Sequence, residues 1–208
     1  MRFLAPALVL AALPLPAWAG GIGVIGNYGM HGDTVYPYYM KDNGDFEQCD
    51  PQHQMNGNFG GGIEVVLGDR DNKILGIFRG YYIQDAAQRA PRAGGECKQP
   101  VFDDGTQPDG LTYAIRETGR DVGVINAGLQ FGVLGDPNNI QLTIVNTYGA
   151  GLYTNDLTEF ATVELGVGGT WMAERRVQVH ASVTGGLRYR KSFYPTGNAY
   201  AGVRYLFD

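Results

Sequence analysis

Five charged residues, Glu64, Arg79, Glu164, Arg188 and Arg204, each interrupt a stretch whose neighbours are otherwise apolar, small or amide-bearing. A single charge in such surroundings is costly to desolvate, so these groups are expected to pair and hydrogen-bond within one enclosed space. If the chain folds back near Arg70, Arg79 comes within diagonal reach of Glu64. If it folds back at AERR, Arg188 approaches Glu164 in the same way. Such a network either plugs an interior or lines a narrow ion path. His180-x-Ser182 raises a different chemistry. A nucleophilic serine needs a histidine within hydrogen-bond reach and an acid to orient it. Residues two apart on a strand share a face, and Glu164 on a neighbouring strand is a candidate acid. The plainer reading, an interior histidine beside a small serine, is preferred, and no catalytic residue is assigned. Asp42, Asp45, Glu47, Asp50 and the segment DGTQPDG are acidic but lack the ligand spacing of a calcium loop, so neither a metal nor a cofactor is expected.

The elements that position these side chains are strands. From residue 121 onward five segments alternate with period two: DVGVINAGLQFGVL, IQLTIVNTYGAGLY, LTEFATVELGVGGTW, VQVHASVTGGLRYR and the closing YAGVRYLFD. Three more precede them, GIGVIGNYGM, NGNFGGGIEVVLG and KILGIFRGYYIQD, giving eight in all. In the third segment either face could be the apolar one, and turning Ile74, Phe78 and Tyr82 outward is preferred because it turns Arg79 inward. Short turns join strands 2–3, 4–5 and 6–7, whereas about 24 residues (31–54) and about 35 residues (85–120) join strands 1–2 and 3–4. The long connections therefore gather at one end of the molecule.

Alternation alone suits a soluble barrel as well as a membrane barrel, and the polar faces separate the two. The outer face of a soluble barrel is rich in Lys and Glu. Here the polar faces carry Gly, Asn, Gln, Thr and Ser with isolated charges, the composition of a crowded interior. The apolar faces carry no charge for five or six positions, and Trp171, Tyr205 and Phe207 cluster towards the short-turn end, as an interfacial aromatic girdle would. The fold class expected is an all-β, antiparallel, up-and-down transmembrane barrel of eight strands, with short periplasmic turns and long extracellular loops. Only 18% of residues are charged, the formal net charge is −5, and no basic patch points to nucleic acid. No run of eighteen apolar residues exists, which excludes a helical membrane protein.

This pattern resembles the small eight-stranded outer-membrane barrels of the OmpA/OmpX type, over the whole of residues 20–208. Tyr200-x-Gly202-x-x-Tyr205-x-Phe207 is similar to the C-terminal signal that hands such proteins to the barrel-assembly machinery, although here Asp208 follows the aromatic residue. The resemblance implies a place in the outer membrane of a Gram-negative bacterium, among its lipid and lipopolysaccharide. His180-x-Ser182 is also similar to the arrangement in the lipid A 3-O-deacylase family, but the Asn that usually follows the serine is replaced by Val183.

At the amino terminus, Arg2, an apolar run and Ala17-Trp18-Ala19 form a signal-peptide pattern, so residues 1–19 are expected to be cleaved. In an exported chain Cys49 and Cys97, one in each long connection, are expected to form a disulfide at the cell surface. The Tyr36-Pro37-Tyr38-Tyr39 run is either a contact surface or part of an upper girdle. The function expected is non-catalytic: interaction or adhesion through the surface loops with a surface or envelope partner, or a structural role in the envelope. A small channel through the lumen is the alternative, and a lipid-A-modifying hydrolase comes third.

Overall fold

The computed structural model describes residues 20–40, 46–48, 52–69, 71–87, 112–114, 119–154 and 159–207. They form ten β-strands: β1 (Gly20–Met40), β2 (Phe46–Gln48), β3 (Gln52–Leu67), β4 (Ile74–Asp85), β5 (Thr112–Ala114), β6 (Arg120–Gly135), β7 (Ile140–Tyr153), β8 (Glu159–Glu174), β9 (Val177–Tyr189) and β10 (Phe193–Phe207). Eight of them, β1, β3, β4 and β6 to β10, pair antiparallel in chain order. β10 then returns to β1, with Phe207 opposite Gly20, and the sheet closes into an up-and-down barrel.

The pairing register fixes the shape of the barrel. Traced from Gly20 through Leu67, Gly76, Leu129, Asn146, Leu165, Gly185 and Gly197, the register returns to β1 at Met30, ten residues further along. With about 3.3 Å per residue and about 4.8 Å between strands, that offset tilts the strands by about 40°. Each residue then climbs about 2.5 Å along the barrel axis, so an outward run of eight to ten residues makes a belt about 20–25 Å tall.

Alternation decides which face meets which environment. Ile22, Val24, Tyr28 and Met30 on β1 are exposed, as are Leu142 and Tyr148 on β7, Val163, Leu165, Val167 and Trp171 on β8, and Val203, Tyr205 and Phe207 on β10. Ile74, Phe78 and Tyr82 on β4 also point outward, which turns Arg79 into the lumen. The interior receives Asn27, Glu64, Arg79, Asn126, Thr147, Glu164, His180, Arg188, Asn198 and Arg204, all buried. The protein is thus apolar outside and polar inside, the reverse of a water-soluble barrel and the arrangement a bilayer requires.

At one end the strands are joined by tight turns. Gly68 (φ 116°) ends β3 and Gly135 (φ 94°) ends β6, both in the left-handed region that favours glycine. The two turns touch, Asn138 Nδ2 donating to Asp71 Oδ1 at 3.0 Å.

The structure departs from the sequence-based expectation in three ways. β1 does not stop near His31 but runs to Met40, and its upper part becomes the centre of a small sheet, with β2 on one edge and β5 on the other. Two three-residue strands thus add to the expected eight. β10 begins at Phe193, ahead of the alternating stretch, and pairs Phe193 with Tyr189 across a turn at 190–192. Residues 1–19, Cys49, Cys97 and Asp208 lie outside the described residues, as do Asp42, Asp45, Asp50 and the DGTQPDG segment.

Candidate functional site: the barrel lumen

The lumen holds three tiers of polar side chains. The lowest centres on Glu64, which β3 places directly opposite Arg79 of β4 rather than diagonal to it. Arg79 Nε donates to Glu64 Oε2 at 2.7 Å and Arg204 Nη1 donates to Oε1 at 3.1 Å. His180 Nε2 lies 3.2 Å from the same Oε1. Arg204 reaches further, donating through Nε to Gln178 Oε1 at 2.6 Å and through Nη2 to Gln130 Oε1 at 3.4 Å. One carboxylate therefore faces two guanidinium groups and an imidazole, with five strands contributing to the tier.

Gly202 makes this tier possible. It stands opposite His180, and a methyl group at its Cα would meet the Val24 backbone carbonyl oxygen of β1 and come 2.6 Å from the imidazole Nε2. The glycine of the C-terminal Tyr-x-Gly pattern thus has a structural reason of its own: neither the β1 backbone nor the imidazole leaves space for a side chain.

The middle tier belongs to Glu164, which is 2% exposed and hydrogen-bonded to neutral donors. Thr184 Oγ1 and Asn198 Nδ2 each donate to it at 2.7 Å, and Tyr200 OH donates at 3.2 Å. With the Tyr200 proton committed to Glu164, Tyr81 OH donates to Tyr200 OH at 3.1 Å, and Asn126 Nδ2 donates to Tyr81 OH at 3.1 Å. The result is a directional chain, Asn126 to Tyr81 to Tyr200 to Glu164, spanning the barrel from β6 to β8. Arg79 connects it to the lower tier, its guanidinium 4.4 Å from the centre of the Tyr200 ring.

The expected pairing of Arg188 with Glu164 is not formed. In register, Glu164 faces Gly186 and Arg188 faces Thr162, so Arg188 sits one inward step higher. It donates through Nη1 to Tyr153 OH at 2.9 Å, lies 3.9 Å from Asp85 Oδ2 and stacks 4.2 Å from the Phe160 ring centre. This is the upper tier. There His31 Nε2 meets Asp85 Oδ2 at 3.0 Å, and Arg120 packs 3.9 Å from the Tyr153 ring centre.

His31, Asp85, Tyr81 and Tyr153 were not among the expected site residues. Asp85 and Tyr81 carry a readable signal, since two-residue steps from Arg79 lead through Tyr81 and Ile83 to Asp85. His31 follows in the same way from Asn27 and Gly29.

The His180-x-Ser182 pair does not assemble as a dyad. Both residues face the lumen and are buried, His180 turns to Glu64, and Ser182 Oγ has no hydrogen-bond partner among the described residues. Glu164, the candidate acid, is committed to Thr184, Asn198 and Tyr200.

Comparison with known proteins gives no matching family model and no matching curated relative. Among solved structures, the attachment invasion locus protein Ail of Yersinia pestis is similar at 12% identity, with 91% of this chain and 99% of that chain covered and a TM-score of 0.36. Ail in complex with the heparin analogue sucrose octasulfate gives 12% identity, the same coverage and a TM-score of 0.39. Neisserial surface protein A (NspA) is similar at 13% identity, with 87% and 97% covered and a TM-score of 0.39. Ail and NspA are eight-stranded outer-membrane β-barrels. At these values the likeness concerns the fold alone, and the fold rests on this chain's own strand pairing: it is a closed eight-stranded antiparallel barrel, apolar outside and tied across its lumen by charge.

Proposed function

We propose that the protein is an integral outer-membrane barrel of a Gram-negative bacterium that acts without catalysis through its extracellular face. Its work is interaction or adhesion with a surface or envelope partner, or a structural role in the envelope. The observation that carries this reading is the small sheet in which Tyr36–Tyr38 of β1 pair with β5 and Tyr38–Met40 pair with β2, outside the eight-stranded ring. The lumen, by contrast, is committed to internal ties, so the elaboration available to a partner lies beyond the rim.

Several further assignments belong to this reading. Residues 1–19 are a signal peptide removed after Ala19, and the last strand, with Tyr200, Gly202, Tyr205 and Phe207, is the segment recognised by the barrel-assembly machinery. Cys49 follows β2 and Cys97 precedes β5, the two strands that flank β1 at the same end, which supports a Cys49–Cys97 disulfide there. Lipid and lipopolysaccharide are the constant partners of the apolar belt.

Cells displaying the wild-type protein, and cells displaying a variant with Phe46–Gln48 replaced by Gly-Ser-Gly, test the interaction. Retention on immobilised lipopolysaccharide and on envelope or host-surface protein extracts is expected to fall for the variant while the barrel stays in the membrane. Equal retention would reject the outer sheet as the acting surface. The second reading, a small channel, is favoured by the charges that line the lumen, and planar-bilayer recording separates it: silence is expected, and a discrete conductance would move the function to the lumen.

A further inference from the structure

One side chain breaks the outer belt. Asn146 lies midway along β7, six residues from Ile140 and six from Leu152. It has the outward parity of Ile144 and Tyr148, both exposed. Among the described residues it is the only non-aromatic polar side chain turned outward between the lower aromatics (Trp171, Tyr205, Phe207) and the upper ones (Tyr28, Phe59, Tyr82). Its neighbours across the strand pairs are Leu129 and Leu165, each exposed, and among the described residues no hydrogen bond satisfies the carboxamide. An amide at mid-depth in hydrocarbon finds neither water nor, here, a protein partner.

We infer that Asn146 marks a homodimer interface, with the carboxamide of one protomer hydrogen-bonded to that of its partner. A carboxamide carries both donor and acceptor, so two of them related by a two-fold axis satisfy each other reciprocally. The bilayer supplies the register. The first and last residues of the ring, Gly20 and Phe207, pair at the short-turn end, so every copy inserts with the same orientation and depth. Any belt residue on a two-fold axis along the membrane normal therefore meets its own copy. A different partner would have to bring its own polar group to that depth, whereas a second copy brings one by construction. Leu129 and Leu165 flank the amide on either side and supply the apolar surround of the contact. Polar side chains joining spanning segments across lipid act in the same way.

The inference rests on the membrane reading above, and the experiment keeps the two apart. Full-length protein with Cys49 and Cys97 changed to Ser is refolded into phosphatidylcholine vesicles, and insertion is verified by flotation and by the heat-modifiable gel shift. In that background Asn146→Cys is expected to give covalent dimers under mild oxidant. Val24→Cys is expected to give none, because it sits at similar depth on β1, four strands away round the ring. In a separate arm, labelled wild-type protein diluted with lipid is expected to lose its dimer signal at least ten times later than Asn146→Leu. Equal cross-linking at positions 24 and 146, or an identical dilution curve for Asn146→Leu, overturns the dimer. Recovery of the protein outside the vesicles overturns the membrane reading and the dimer with it.

Discussion

Glu64 is the residue on which the lower lumen turns, because three basic groups converge on its two oxygens within 3.2 Å. Removing one member of a buried ion cluster leaves the others uncompensated, which costs about 3–5 kcal/mol. Glu64→Ala is therefore expected to lower the temperature of the heat-modifiable gel shift sharply, while Glu164→Gln, which keeps an oxygen acceptor among neutral donors, lowers it far less. The same order in urea unfolding would confirm the ranking, and a reversed order would show that Glu164 carries the larger electrostatic load. Gly202→Ala is expected to lower the gel-shift temperature as well, since the added methyl meets the Val24 backbone carbonyl oxygen of β1 and the imidazole of His180. The inward placement of Arg79 and Glu64 was legible in the sequence less from alternation, which in β4 left either face open, than from the cost of turning an isolated charge outward. The partner of Arg188 was not. The register does set Arg188 diagonal to Glu164, but Thr184, Asn198 and Tyr200 already occupy that carboxylate. Arg188 turns instead to Tyr153, Asp85 and Phe160, partners that parity along two strands does not reveal.

At the level of single strands, the outer belt and the outer sheet make separate claims. Val167 lies mid-belt on β8 and is exposed, whereas Asp121 begins the rim of β6. Val167→Arg is expected to destabilise the barrel in a bilayer by about 2–4 kcal/mol, and Asp121→Arg by about 0–1 kcal/mol. Equal costs in titrations with folded, vesicle-inserted protein would contradict the depth assigned to β8. Non-reducing peptide mapping is expected to recover residues 49 and 97 in one linked fragment, and two free thiols would end the disulfide proposal. β2 and β5 escaped a reading by periodicity because three residues are too few to display one. The start of β10 escaped it for another reason: Pro195 and Gly197 weaken strand propensity at the very positions where pairing with β9 holds the chain extended.

For the molecule as a whole, the inverted pattern of an apolar exterior and a polar interior specifies the solvent as strictly as it specifies the fold. Extraction is expected to require detergent and to resist carbonate or high salt, and recovery in a soluble periplasmic fraction would contradict that. Barrel class, strand number in the ring and the outward faces of the last five strands were legible because one physical rule, period two with a charge-free face, repeats from residue 121 onward, whereas in the third strand periodicity left either face open. The cross-lumen ties joining β3, β4, β9 and β10 were only partly legible, because they depend on how the tilted strands bring distant parts of the chain to one height.

The pairing of Gly20 with Phe207 has a kinetic consequence. The first strand of the ring completes its hydrogen bonds only with the last, so the seam closes after every other strand of the ring has been made. Ring closure of that length carries a large loop entropy, and contacts so distant in sequence form slowly. Until the seam forms, β1 and β10 each present an open edge able to template wrong pairing. A chain truncated before residue 193 can never hide that edge, so such fragments are expected to be degraded rather than to accumulate as partial barrels. The protein's hazard period is set by the arrival of the fifteen residues of β10, Phe193–Phe207.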